Sequence, residues 1–183
     1  MSSACAFRAQ LVMQGQRELY DYWRQSAGER VMPARPDFDP LKVPGLLPHI
    51  GLIDVRDGLD KGSFTLAGTC LRDIYGAEIT GRRLSDVFCG DCATYWSRVY
   101  ARIAMAGLPG TGVVRGPSKG RDHVVLFWLR LPLSDDGRRV DRILCLDIAG
   151  PFETNEADTP CASQCYPRVS PEPVTLGARV AVA

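Results

Sequence analysis

Apolar residues recur at three- and four-residue steps near the start of the chain and at two-residue steps further on. From about Ala6 to Ser26, Val12, Leu19, Tyr22 and Trp23 keep helical spacing, with Arg17, Glu18, Asp21 and Arg24 between them. This predicts an amphipathic helix, and Gly28 is its stop. The stretch Met32–Pro48 holds Pro33, Pro36, Pro40, Pro44 and Pro48. Proline fixes φ and lacks an amide donor, so the piece is an extended or turning connector. His49–Val55 then alternates, and Ser63–Ala67 follows across a turn at Asp57–Gly62. The two form a predicted hairpin.

Between Thr69 and Val87 short helical pieces are broken at Gly76 and Gly81. A helix capped by Asp91 runs to about Ala106, with Tyr95, Val99 and Ile103 in one row, and Gly107–Pro109 ends it. Three strands follow at about Thr111–Arg115, His123–Leu133 and Val140–Ile148. Helix, two strands, helical insert and three strands make an α+β domain, an antiparallel sheet with its helices gathered on one face. The expected division is an N-terminal helix over residues 1–28, a core over 29–150 and a tail over 151–183. The tail is rich in Pro, Ser, Thr and Ala, has no periodicity, and is expected to be flexible.

In the long strand Phe127, Leu129 and Leu131 fall on one side, and Val124, Leu126, Trp128 and Arg130 on the other. Both sides are largely apolar, so both need cover. The central helices can supply one cover; the N-terminal helix, or the sheet of a second subunit, the other. Val12, Leu19, Trp23, Leu126 and Trp128 are accordingly expected at a dimer or partner surface. Trp96, Tyr100 and Ile103 of the long helix, with Phe64, Leu66, Phe127 and Leu129 of the sheet, are expected to line a ligand pocket or to fill a plain core.

The 183 residues suffice for one core, and 45% hydrophobic content is that of a folded protein. A formal net charge of +1 argues against nucleic acid or an anionic membrane as partner. The first dozen residues lack a signal-peptide core, and no run reaches the roughly 20 apolar residues of a membrane span. A cytoplasmic location with seven reduced cysteines is the expectation.

Cys89-Gly-Asp-Cys92 is a CxxC, and Cys161 and Cys165 form a second close pair. Four thiolates at such spacings suit Zn²⁺, and Cys92 in a first helical turn suits redox chemistry; incidental structural thiols are the plainer reading, so no metal is assigned. His49 and His123 sit at predicted strand starts, where a hydrogen-bonded structural role outweighs haem ligation. Arg82-Arg83 and Arg138-Arg139 are basic doublets beside turns, by default solvated. A phosphate-binding loop and Gly-x-Gly-x-x-Gly are absent, two histidines at strand starts do not make a triad, and the expectation is that the protein is not an enzyme.

Tyr22-Trp23-Arg24, Met32-Pro33 with Arg35, Asp37 with Asp39-Pro40, Leu46-Leu47-Pro48-His49, Gly68-Thr69, Asp73, Tyr75-Gly76, Glu78 and Thr80-Gly81-Arg82 occur in that order. In them the chain resembles a stand-alone bacterial PAS-domain family, found mostly in alphaproteobacteria, over roughly residues 17–150. The resemblance implies a five-stranded antiparallel PAS sheet, a pocket between it and the central helices, and a sensory or protein-interaction role in bacterial signalling. The second apolar face of the long strand makes a homodimer the expectation; the resemblance adds a signalling partner but names no cofactor. Cys70 and the pair Cys89/Cys92 depart from the family pattern. A ligand-free adaptor and a thiol or metal switch are the alternatives.

Overall fold

The computed structural model describes residues 3–150. The helices are α1 (Ser3–Ala9), α2 (Gln14–Ala27), α3 (Thr69–Tyr75), α4 (Leu84–Val87) and α5 (Asp91–Ala106). The strands are β1 (Ile50–Asp54), β2 (Ser63–Ala67), β3 (Gly110–Arg115), β4 (Val125–Leu133) and β5 (Arg142–Gly150). They form one antiparallel sheet in the order β2-β1-β5-β4-β3. The expected sheet and its five strands are therefore present, with ends shifted by a few residues at most. Residues 151–183, the expected tail, lie outside the described residues.

The proline-rich connector folds into three short 3-10 turns, Arg35–Asp37, Pro40–Lys42 and Pro44–His49. Prolines open each of them, where a missing amide donor costs nothing. Helix α5 starts at Asp91 with Gly90 as its N-cap, so Asp91 is the first helical residue rather than the cap. At its end Gly107, at φ 62°, donates to the Ile103 carbonyl at 2.9 Å; this left-handed stop favours glycine.

The single N-terminal helix expected over Ala6–Ser26 is two helices. Met13 is extended (φ −85°, ψ 143°), and its amide donates to Gln16 Oε1 at 3.1 Å. At about 100° per residue, an unbroken helix would set Phe7 and Trp23 roughly 160° apart around the axis, unable to face one surface. The break resolves this conflict, and Phe7, Leu11, Leu19, Tyr20 and Trp23 are all buried. It also shifts the phase by one residue: Leu11 enters the core, whereas Val12, expected in the apolar stripe, is 59% exposed. Arg8 and Asp21 clasp the two helices together through Nε–Oδ1 and Nη2–Oδ2 contacts of 2.7 Å.

The sheet is covered on both sides, and so the core is split in two. Helix α2 lies on the outer face, where Trp23 Nε1 donates to the Pro132 carbonyl at 2.9 Å. Gln16, itself buried, donates through Nε2 to the Trp128 carbonyl at 3.1 Å and to Thr111 Oγ1 at 3.3 Å. Helices α3, α4 and α5 lie on the inner face. The edge of β2 is closed by residues 81–84: Phe64 donates to the Arg82 carbonyl, Gly81 to that of Phe64, and Leu84 to that of Gly62.

Candidate functional site

Side chains of β4 alternate across the sheet, and Leu126, Trp128 and Arg130 point inward beneath α5. Trp128 Nε1 donates to Tyr95 Oη at 2.9 Å, and its ring lies 5.7 Å from that of Trp96. The flat indole passes over β3, where a Cβ on Gly112 would meet Trp128 Cζ2 at 2.7 Å; glycine is needed for that approach.

Arg130 is fully buried. Its Nη1 lies 2.7 Å from Asp147 Oδ1 and its Nη2 3.3 Å from Oδ2, a two-pronged pairing between β4 and β5. Nε donates to Tyr100 Oη at 3.1 Å, and Tyr75 Oη donates to Asp147 Oδ2 at 2.9 Å. The guanidinium also sits 4.9 Å from the Trp96 ring centre, 5.6 Å from Trp128 and 5.7 Å from Tyr100, within cation–π range of all three. No buried side-chain nitrogen or oxygen among the described residues lacks a hydrogen-bond partner. The two charges are thus compensated inside the protein, as burial of an ion pair requires.

The electrostatics follow from that enclosure. Burial pushes the Tyr75 hydroxyl well above its usual range, and the Asp147 carboxylate adds to the rise. Burial likewise raises Tyr100, against the pull of Arg130. It pushes the Cys145 thiol up to about 12, with Arg130 opposing and Asp147 reinforcing. For Arg130 burial works toward neutrality, but Asp147 together with Cys145, Tyr100 and Tyr75 overrides it, and the side chain is held well above its ordinary value. Arg130 therefore stays cationic, while Cys145, Tyr75 and Tyr100 stay neutral across physiological pH.

Beside this network a half-open cleft of about 320 Å³ runs between residues 59–60 and α4–α5. Phe88, Trp96 and Tyr100 form its aromatic part, and Asp60, Ser85, Cys89 and Ser97 its polar part. Phe88 stacks on Trp96 at 4.8 Å between ring centres. The cleft consequently adjoins the same rings that enclose Arg130.

Sequence reasoning brought part of this set together. Phe64, Trp96, Tyr100 and Ile103 are buried on the inner side, and of these Trp96 and Tyr100 line the cleft. Phe127 and Leu129 are not with them: they project to the outer face under α2, paired across the sheet with Ile148 and Leu146. Leu66 is on the outer face of edge strand β2 and is 45% exposed. The assignment of β4's two sides is thus reversed. Trp128 and Leu126, expected at a partner surface, lie beneath α5, and Leu19 and Trp23 are buried between α2 and the sheet. Alternation separates the two sets of a strand but not which set meets which helix; both sets here were apolar enough for either.

Asp147, Asp60 and the cleft's serines went unrecognised as site residues. A usable signal existed: Arg130 interrupts one apolar strand and Asp147 the strand after it, two opposite charges where neither can reach water alone. His49 Nδ1 lies 3.1 Å from the Asp147 carbonyl oxygen, while His123 is exposed in the turn before β4. Among the described residues no three His, Cys, Asp or Glu side chains converge as a metal site, and Cys161 and Cys165 lie outside those residues. No helix among the described residues is long and apolar enough to cross a membrane.

Several solved structures resemble the chain at low identity. A domain of an HTR-like protein from Haloarcula marismortui is 13% identical, over 55% of this chain and 96% of that one, with a TM-score of 0.40. A sensory box sensor histidine kinase from Vibrio cholerae is 15% identical, over 61% and 88%, with a TM-score of 0.43. An RNA-binding light-oxygen-voltage receptor is 16% identical, over 64% of this chain and 35% of that one, with a TM-score of 0.41. No curated protein matches. The family model of a PAS domain matches residues 12–146, which takes in α2, all of β1–β4, the insert and β5 up to Leu146. The chain belongs to this PAS-domain family, whose members are generally sensory, non-catalytic modules.

Proposed function

We propose that the chain is a non-catalytic sensory and interaction module of cytoplasmic bacterial signalling, which takes a small molecule in the cleft along α4–α5 and answers through α1 and α2. The observation that carries this reading is one residue, Trp128. Its ring packs on Trp96 beside the cleft, and its carbonyl accepts from Gln16 of α2 on the opposite face. A ligand pressing on Phe88 or Trp96 acts on the ring end of Trp128, and a displaced strand changes the seat of α2 at the other. The room directly beneath α5 is filled by the Arg130 network, so the ligand occupies the cleft beside it rather than the centre.

The partner, a second copy or another signalling protein, meets the solvent side of α1, α2 and the link between them, where Val12 is exposed. Leu19, Trp23, Leu126 and Trp128 are covered by the chain itself, and serve such a contact only by seating the helices.

Ser97→Trp tests the relay by filling the cleft from the exposed side of α5 with the protein's own side chain. Hydrogen exchange of the full chain is expected to change in peptides covering residues 14–27 as well as in α5, and the oligomeric state to shift with it. Exchange that changes in α5 and stops there would sink the relay. Native mass spectrometry of the freshly purified wild type reports separately on a retained ligand.

A further inference from the structure

Cys89 and Cys92 bracket the N-terminus of α5, and each is wired to Trp96 by a separate route. Cys89 is exposed and lines the cleft; it directly follows Phe88, whose ring stacks on Trp96 at 4.8 Å. Cys92 donates its thiol proton to the Gly116 carbonyl, Sγ–O 3.0 Å. The next carbonyl along, Pro117, accepts from Trp96 Nε1 at 3.1 Å, and Ser118 Oγ donates to the Tyr75 carbonyl at 3.1 Å. Residues 116–118 are therefore pinned to α5 by Cys92 and Trp96, and to α3 by Ser118. Two residues, Gly90 and Asp91, separate the cysteines, and Gly90 at φ 65° supplies the bend between them.

We infer that Cys89 and Cys92 are a peroxide-responsive dithiol whose oxidation to a disulfide is read by Trp96 and its neighbours. This goes beyond the sensory reading above and holds for a cleft with or without a ligand. The exposed Cys89 thiolate attacks a hydroperoxide oxygen, breaking the O–O bond and giving the sulfenic acid and hydroxide. Cys92, as thiolate, attacks that sulfur and displaces a second hydroxide. In total two thiols and one hydrogen peroxide become one disulfide and two waters. The thiol proton that held Gly116 is lost in the second step, so one of the two pins between α5 and residues 116–118 is released. Closing the bridge also draws on the backbone of Phe88. Both effects reach Trp96, the ring between the cleft and Arg130.

Trypsin places the two cysteines, and no other, in the peptide of residues 84–98, LSDVFCGDCATYWSR. The full chain is treated with hydrogen peroxide, alkylated without reductant and digested. The expected peptide is two hydrogens lighter and carries no alkyl group, with both groups recovered after dithiothreitol. Tryptophan emission is expected to shift in step with the bridge and to stay put in Cys89→Ser, which alters a single exposed atom. A peptide that still carries two alkyl groups overturns the inference, as does Cys89 overoxidised to sulfinic acid beside an alkylated Cys92, or a bridge from either residue to another cysteine. A bridge formed with unchanged emission overturns its reading by Trp96.

Discussion

Both faces of β4 are covered, by opposite means. On the inner face, Arg130 and Asp147 tie β4 to β5 and are enclosed by Trp96, Tyr100, Trp128 and Tyr75, every polar atom having a fixed partner. On the outer face aliphatic side chains meet α2, and direct polar ties are few, chiefly Gln16 to the Trp128 carbonyl and Trp23 to that of Pro132. A satisfied ionic network resists any shift that parts the pair, because such a shift leaves a charge stranded. Apolar packing with three neutral hydrogen bonds, two from Gln16 and one from Trp23, tolerates sliding far better. The contrast makes the inner face the stiffer element and the N-terminal pair of helices the element expected to shift more readily.

The largest expected effect breaks the inner face. Arg130→Met leaves the Asp147 carboxylate buried without its cation, at a cost of about 3–5 kcal/mol in urea unfolding. Asp147→Leu added to it removes the stranded charge, and the double variant is expected to recover most of that loss. A single variant no worse than the double would mean that the pair is not electrostatically coupled, and the two faces would then be alike.

A smaller effect tests the outer face. Trp23→Phe keeps an aromatic ring under the sheet but leaves the Pro132 carbonyl unpaired, for about 1–3 kcal/mol. Because the lost bond belongs to the movable element, hydrogen exchange should quicken in residues 14–27 ahead of β4 and β5. Uniform quickening across the sheet would show instead that α2 and the sheet open as one unit.

These differences also mark what could be seen in the sequence. Strand periodicity, turn glycines and the Asp91–Ala106 pattern located the sheet and α5 to within a few residues, because those signals are local. The break at residues 10–13 was hidden: Val12, Leu19 and Trp23 fit an unbroken helix, and only the position of the sheet decides that Leu11 is buried instead. The site suffered in the same way. Trp96 and Tyr100 were evident as an aromatic face, whereas Phe127 and Leu129 were placed on the wrong side, since two apolar sets on one strand carry no label for the helix each will meet. Arg130 and Asp147 carried such a label in their charge, and a buried cation between two tryptophans marks the inner side.

The smallest effect concerns the turn that joins the two strands, and it separates exposed from buried charge. Asp136 Oδ1 accepts from the amides of Arg139 (2.9 Å) and Arg138 (2.8 Å) and from Ser134 Oγ (3.0 Å). Those bonds, the Arg139 amide foremost, lower its carboxyl from 3.8 to about 2. A folded-state value below the unfolded one stabilises the protein at pH above the unfolded value, and the contribution is lost as pH falls from 3.8 toward about 2. Asp136→Asn keeps an acceptor but has no charge to titrate. The wild type is therefore expected to exceed it slightly in urea midpoint near neutral pH and to match it near pH 2. The gap is small because the carboxylate is solvent-screened. A gap that persists at low pH would assign the difference to the shape of the turn, leaving the buried Arg130–Asp147 pair as the charge that matters between these strands.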